Sequence, residues 1–246
     1  MRPRYWFLVC GLLAVSLLLA LTPWQRVWGL TQSRLRAPAS VAERIKQYGG
    51  EARARLLPQF VRVAVAYPPR ALTLVGLKAE QRLEVWVSSD GTQFHLLTNY
   101  PIRAASGGLG PKLREGDRQV PEGLYRIESL NPNSRFHLSL RVNYPNDYDR
   151  KQAKADGRTQ LGGDIMIHGS DVSIGCLAMG DAAAEDLFVL AAETGFKNIA
   201  VILAPVDFRV RELPTDIKTL PAWTAELYAA IRKELVRLLE RSPATR

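Results

Sequence analysis

From Phe60 onward, apolar side chains return at every second position, in Val61-Arg62-Val63-Ala64-Val65 and again in Leu83-Glu84-Val85-Trp86-Val87. That period turns one face of an extended chain toward a core and the other toward water, so it selects strands and excludes an all-helical fold. Turn residues punctuate the pattern. Ser89-Asp90-Gly91 closes a hairpin onto Phe94 to Leu97, and Pro121-Glu122-Gly123 opens a strand over Leu124 to Ile127. Phe136 to Val142, Ile165 to Ile167 and Val201 to Leu203 read as further strands. Helical signals lie mainly around this block. Ser40 and Glu43 form a capping box whose helix is expected to stop at Gly49-Gly50, with a second short helix over Glu51 to Leu57. Asp181 reads as the N-cap of an amphipathic helix, Ala182 to Thr194, that Gly195 ends. Pro221 to Arg241 carries an apolar stripe of Trp223, Leu227, Ile231, Leu235 and Leu238 or Leu239, suited to packing on the domain. The expected fold is mainly β with flanking helices.

At 246 residues the chain has room for one sizeable domain plus a membrane segment. Tyr5 to Leu21 is an uncharged apolar run preceded by Arg2 and Arg4, the layout of an N-terminal anchor or a signal peptide. Small residues near Ala20 to Thr22 run into Pro23, which makes a poor cleavage site, so the uncleaved anchor is the expectation. Residues 1–22 are thus read as membrane segment, 23–58 as basic tether and short helices, 59–212 as the strand-rich domain and 213–246 as a helix packing on it. The net charge is +9, but Lys and Arg outnumber Glu nine to two in the first 55 residues, a local +7. A basic cluster beside a membrane run suits anionic lipid or an anionic wall polymer, and no nucleic-acid-binding motif is present. Arginines at the amino end hold it in the cytoplasm, which puts the rest of the chain on the outer face of the membrane. Cys10 falls inside the apolar run and cannot pair with Cys176, so Cys176 is an unpaired exported thiol.

The chemistry concentrates in Ile165 to Met179, Ile-Met-Ile-His-Gly-Ser-Asp-Val-Ser-Ile-Gly-Cys-Leu-Ala-Met. A thiol ionises near pH 8.5 when unassisted, and a neighbouring imidazole is the usual remedy. His168, at the end of a buried strand that Gly169 lets turn sharply, can supply one. A thiol so activated is expected to alkylate faster than a free one below pH 8.5. Gly175 frees the backbone so that the amides of Gly175 and Cys176 can face an oxyanion. On residue chemistry alone, an inert buried cysteine and a structural histidine fit equally well. Gly107-Gly108-Leu109-Gly110-Pro111-Lys112 lacks the Gly-Lys-Ser/Thr ending of a phosphate loop and reads as a turn-rich loop. Asn143 to Arg150 reads either as a surface turn or as a rim on which Tyr144, Tyr148 and Arg150 grip a peptide carrying carboxylates. His95 and His137 are expected to be structural. With three histidines in all and no spaced pair among them, no metal site is expected.

The His-Gly followed by Ser-x-Gly-Cys resembles the signature of the YkuD-type L,D-transpeptidases, and in particular their YafK-like branch. Lys78 to Trp86, Tyr100-Pro101-Ile102, Ser106 to Asp117, Pro121-Glu122-Gly123 and Asn143 to Arg150 resemble that branch in the same order, over about Phe60 to Val210. The resemblance implies the L,D-transpeptidase type of mainly β domain, acting without a cofactor on peptidoglycan stem peptides. It implies Cys176 as nucleophile, His168 as base, Gly175 and Cys176 amides as the oxyanion site, and Ser173 as support for imidazole or substrate. Gly169, Tyr144, Tyr148, Arg150 and Arg141 are the expected substrate-facing residues. Commoner family members carry an Arg where this chain has Ala178, and Arg141 or Arg150 is the expected replacement. Three readings stay open: a transpeptidase, a hydrolase of wall-linked peptides, and a non-catalytic wall-binding module. No protein partner is named by the sequence.

Overall fold

The computed structural model describes residues 37–213 and 220–242. The apolar run at Tyr5 to Leu21 lies outside them. Among the described residues no helix is long and apolar enough to cross a membrane. The described residues from Ala39 on belong to one compact unit.

The opening helix, α1 (Val41–Arg62), begins at Ser40 with the expected capping box: Ser40 Oγ accepts from the Glu43 amide, and the Glu43 carboxylate accepts from the Ser40 amide. It does not stop at Gly49-Gly50, and no second short helix follows. The two glycines cost about 1 kcal/mol each in a helix interior, but Gly49, Ala52, Leu56 and Phe60 form one buried stripe that holds the helix continuous. The alternation at Val61 to Val65 is correspondingly not a strand. Val61 lies in the last turn of the helix, 80% exposed, and Ala64 takes a positive φ of 53° as the chain leaves it.

The strands are β1 (Ala71–Leu77), β2 (Arg82–Ser88), β3 (His95–Pro101), β4 (Ala104–Ala105), β5 (Gly123–Ser134), β6 (His137–Val142), β7 (Met166–His168), β8 (Leu177–Ala178) and β9 (Ile199–Ala204). They are ordered β3-β2-β1-β9-β5-β6-β7-β8-β4 in one sheet. The pairs β1/β9 and β7/β8 are parallel and the others antiparallel. Strand β5 joins two halves: Gly123 to Arg126 pair with β9, and Ile127 to Ser134 pair with β6 across register shifts that bend it.

Period-two patterning predicts one wet face for β2, yet Arg82–Ser88 is buried on both sides. Leu83, Val85 and Val87 join Leu72, Leu74, Val201 and Leu203 in a core covered by α1 and by α3 (Asp181–Thr194). The opposite face, with Val75, Leu77, Trp86 and Ile202, is covered by α4 (Thr224–Glu240) through Leu227, Tyr228, Ile231, Leu235 and Leu238. Leu238 rather than Leu239 completes that stripe, because Leu239 is 44% exposed. Glu84 is then buried but not bare: it accepts from Trp86 Nε1 at 2.9 Å and from both terminal nitrogens of Arg209. Ion pairs from Arg53 to Glu193 and from Arg55 to Asp186 and Glu185 tie α1 to α3.

Asn143 to Arg150 is not wholly a loop. Asn146 caps a further helix, α2 (Asp147–Ala155), in a capping box with Asp149. The signal was legible, since Asn followed three residues later by Asp is a cap pattern.

Candidate active site

The site is built where β7 and β8 run parallel. Their register pairs Ile167 with Leu177 and His168 with Ala178, so Cys176, one residue before β8, falls beside Met166. Gly169 ends β7 under tight constraint: a Cβ there would lie 2.6 Å from Asp181 Oδ1 and 2.9 Å from the Phe136 carbonyl oxygen. Asp181 is the first residue of α3 rather than its N-cap, which is Gly180. Its carboxylate accepts the Ser170 amide at 2.7 Å and so holds the loop between imidazole and thiol.

His168 is 1% exposed, and its ring stacks on Phe136 at 4.8 Å between centroids. Its Nδ1 lies 2.6 Å from the Gly169 carbonyl oxygen. A carbonyl can only accept, so Nδ1 carries the proton and Nε2 keeps its lone pair. Burial lowers the imidazole pKa, with the Gly169 carbonyl opposing, and the ring is a neutral base at neutral pH.

Cys176 is a free, half-buried thiol. Its Sγ lies 3.4 Å from the Met166 amide nitrogen and 3.5 Å from the Asp164 carbonyl oxygen. Burial pushes its pKa up; the Met166 amide opposes this, the Asp164 charge adds to it, and the Lys112 charge opposes it. The two groups are therefore a neutral thiol and a neutral imidazole. They are not hydrogen-bonded, because Sγ rests against the start of β7 while His168 lies two residues further on, about 7 Å of strand rise. The expected fast alkylation of an imidazole-activated thiol does not fit this resting arrangement.

The loop that carries Cys176 is fastened by two hydroxyls. Ser173 Oγ donates to the Cys176 carbonyl at 2.6 Å and accepts the Cys176 amide at 3.2 Å. Gly175 donates its amide to Ser106 Oγ at 2.5 Å, and Ser106 Oγ donates to the Arg118 carbonyl at 2.8 Å. Both amides expected at the oxyanion site thus have partners here, the one on Cys176 at the long end of the N–H···O range. Ser173 holds the loop itself, not the imidazole. Ser106 was not singled out by sequence reasoning, although it begins one of the family-like motifs.

The turn-rich loop after β4 is held from below. Lys78 Nζ donates to the carbonyls of Gly110 at 3.2 Å and Val120 at 3.0 Å and to Glu122 Oε1 at 2.9 Å. Glu122 also accepts the Gly110 amide and the Tyr228 hydroxyl. Further along, Lys112 pairs with Asp117, whose carboxylate also collects the Leu113, Arg114 and Gln119 amides. A cleft of about 540 Å³ runs along this stretch, lined by Leu113, Arg114, Gln119 and Arg158 among others. Two other cavities, one under α4 and one beside α2, contain neither His168 nor Cys176 in their walls.

The expected substrate-facing residues are dispersed. Arg141 is in register with Met166 and binds Asp164 Oδ1 at 2.8 Å, close to the thiol. Tyr144 is 4% exposed, with its hydroxyl turned to the carbonyls of Lys112 and Leu161, so it supports the loops from inside instead of forming a rim. Tyr148 packs against Trp223, and Arg150 pairs with Asp147 on α2. His137 is structural as expected, bound to Glu185 at 2.9 Å. Among the described residues no three His, Cys, Asp or Glu side chains are grouped to hold a metal ion. Backbone strain collects here: of the non-glycine residues with positive φ, Asp164 meets the thiol, Ser170 follows the turn after His168, and Arg118 and His137 lie against Gly175 and Gly169.

Residues 73–202 match the model of the YkuD family, the L,D-transpeptidase catalytic domain. The chain is 41% identical over 113 residues to YafK of Escherichia coli strain K12, which bears the name of an L,D-transpeptidase; the aligned stretch spans 45% of this chain and 43% of that relative. The helical cell shape determining protein Pgp2 of Campylobacter jejuni is a similar solved structure, at 24% identity and TM-score 0.43 over 54% of this chain and 47% of that one. Bd1075 of Bdellovibrio bacteriovorus is another, at 22% identity and TM-score 0.42 over 70% and 56%.

Proposed function

The chain belongs to the YkuD family of L,D-transpeptidase catalytic domains, and from that premise we propose that it is a cysteine acyltransferase acting on peptidoglycan stem peptides through a thioester at Cys176. The observation that carries the reading is the parallel β7/β8 pair, which puts an imidazole with an open Nε2 at the end of β7 and a free thiol at the entry to β8.

Chemistry begins with rotation of Cys176 about χ1, away from the Met166 amide, as the peptide enters. His168 Nε2 then takes the Sγ proton while Sγ attacks the peptide carbonyl carbon. Neutral partners suit this order, because proton transfer to a neutral imidazole and C–S bond formation proceed together and no resting thiolate is needed. The developing oxyanion draws on the Cys176 amide first, whose bond to Ser173 is the longer, and on the Gly175 amide as Ser106 yields. As the C–N bond breaks, the proton on Nε2 passes to the leaving amine. An acceptor amine next attacks the thioester and gives its proton to Nε2, and as the C–S bond breaks Nε2 passes that proton to Sγ, restoring the thiol and the neutral imidazole. Water in place of the amine gives hydrolysis by the same steps. Arg141, paired with Glu128 and with Asp164, whose carbonyl meets the thiol, is the cation nearest the place of the one missing at Ala178, whereas Arg150 lies on α2 beside Asp147.

Intact mass of the protein incubated with muropeptides tests the reading. An acyl adduct on Cys176, absent from Cys176→Ala, is expected; no adduct under turnover conditions would leave the wall-binding module. Product analysis separates transfer, which yields a new peptide linkage, from hydrolysis. The reading puts the domain on the periplasmic face of the inner membrane, and fractionation of the full chain checks that location.

A further inference from the structure

Arg118 occupies a backbone conformation that its side chain does nothing to justify locally. Its φ is 55°, in the left-handed region where a side chain is penalised and glycine is not. His137, also left-handed, has Glu185 to hold its ring, and Asp164 has Arg141. The Arg118 guanidinium is exposed and makes no hydrogen bond or ion pair with any described residue. The strain therefore does not serve a contact made by this side chain within the protein.

It does serve the position of the residue. The Arg118 carbonyl accepts the Ser106 hydroxyl at 2.8 Å, and the same hydroxyl oxygen holds the Gly175 amide. A Cβ on Gly175 would lie 3.8 Å from the Arg118 carbonyl carbon and 4.0 Å from its Cα. The unpaired cation is thus rooted against the backbone of the residue that precedes the nucleophile. Buried ties fix its root: Lys78 and Glu122 hold the loop at Gly110 and Val120, and Asp117 collects the amides next to it. A free guanidinium on a rigid, strained base beside a nucleophile is suited to bidentate recognition of a planar anion.

Resting on the acyl-transfer reading above, we propose that Arg118 is the specificity residue of this site, binding a carboxylate of the peptide whose carbonyl is presented to Cys176. Arg114, an exposed arginine four residues earlier whose backbone makes no contact with Ser106 or Gly175, is the control.

The test compares wild type with Arg118→Gly, Arg118→Lys and Arg114→Gln. Glycine removes the guanidinium and relieves the left-handed backbone together, so a fold role and a recognition role give opposite signs in stability. Each protein is incubated with a disaccharide-tetrapeptide muropeptide whose carboxylates are free, and with the same compound after conversion of its carboxylates to primary amides. The rate of adduct formation at Cys176 is read by intact mass, alongside the thermal midpoint. Expected is an Arg118→Gly protein with an unchanged or higher midpoint, acylated about 30-fold more slowly by the free-carboxylate substrate, with wild-type discrimination between the two substrates lost. Arg118→Lys should retain part of it, and Arg114→Gln should stay close to wild type. A lower midpoint in Arg118→Gly, acylation at the wild-type rate, or an equal loss on both substrates would each overturn the proposal. Wild type that reacts with neither substrate would instead remove the acyl-transfer reading, and this inference with it.

Discussion

Replacing Lys78 by Met removes an ammonium while keeping the bulk of its stem, and leaves the Glu122 carboxylate buried with only the Gly110 amide and the Tyr228 hydroxyl. The native ammonium makes three hydrogen bonds, two of them to carbonyls of the loop that reaches Gly175 through Ser106. Burial lowers its pKa, with Glu122 holding against that, which is what a pair sealed from water should show. Removing one partner of such a pair costs about 3–5 kcal/mol, because the other charge is stranded. We expect about 4 kcal/mol, a large fraction of the 5–15 kcal/mol that holds a typical domain. At about 2–4 °C per kcal/mol for a domain of this size, the thermal midpoint should fall by about 8–16 °C. Lys78→Met/Glu122→Gln, which strands no charge, should recover more than half of the loss. Urea titrations of the two variants and wild type give the comparison. The released loop should also loosen Ser106 from Gly175, so iodoacetamide should label Cys176 faster in Lys78→Met than in wild type. A loss below about 1 kcal/mol, or equal losses in the single and double variants, would refute the argument that a stranded carboxylate sets the cost.

Resting Cys176 should alkylate more slowly than free cysteine at pH 8, since burial raises its pKa; labelling rates across pH check this, and a lowered apparent pKa would contradict it. His168→Ala should leave that resting rate nearly unchanged, because the two side chains are not hydrogen-bonded, yet abolish acylation by muropeptide. The folded His168 imidazole binds its proton more weakly than the unfolded one, so its neutral form supports stability fully above about pH 6.5, and that support is lost as acid is added below it. His168→Gln should flatten this acid slope in urea midpoints taken between about pH 5 and 7.5. Gly169→Ala puts a methyl against Asp181 and the Phe136 carbonyl; about 1–3 kcal/mol of destabilisation and a sharp loss of adduct should appear together. An unstrained, active Gly169→Ala protein would show that the turn after β7 has slack.

Local patterns were sufficient wherever one short stretch carries its own cause. The capping box at Ser40 and Glu43, the turn at Ser89-Asp90-Gly91, the helix stop at Gly195 and the apolar stripe of α4 are all present, because each depends on side chains a few residues apart. His168 and Cys176 were legible for the same reason, lying in one stretch with a glycine beside each. Patterns failed where distant contacts overrule local preference. Gly49 and Gly50 stay helical because the stripe through Leu56 and Phe60 is buried, and β2 is dry on both faces because α4, from the far end of the sequence, covers Trp86 while Arg209 binds Glu84. Tyr144 and Tyr148 read as a rim because they are polar aromatics in a turn-like stretch; what each hydroxyl touches, an inner carbonyl or the Trp223 backbone, is a matter of packing. The sequence by itself determined a mainly β domain with a histidine and a cysteine eight residues apart. Only the tertiary structure decided that the thiol rests against Met166 and not on the imidazole, and that Ser106 from another loop holds the amide before it. Those facts depend on strand register and on burial, which are set by contacts between segments that no local pattern encodes.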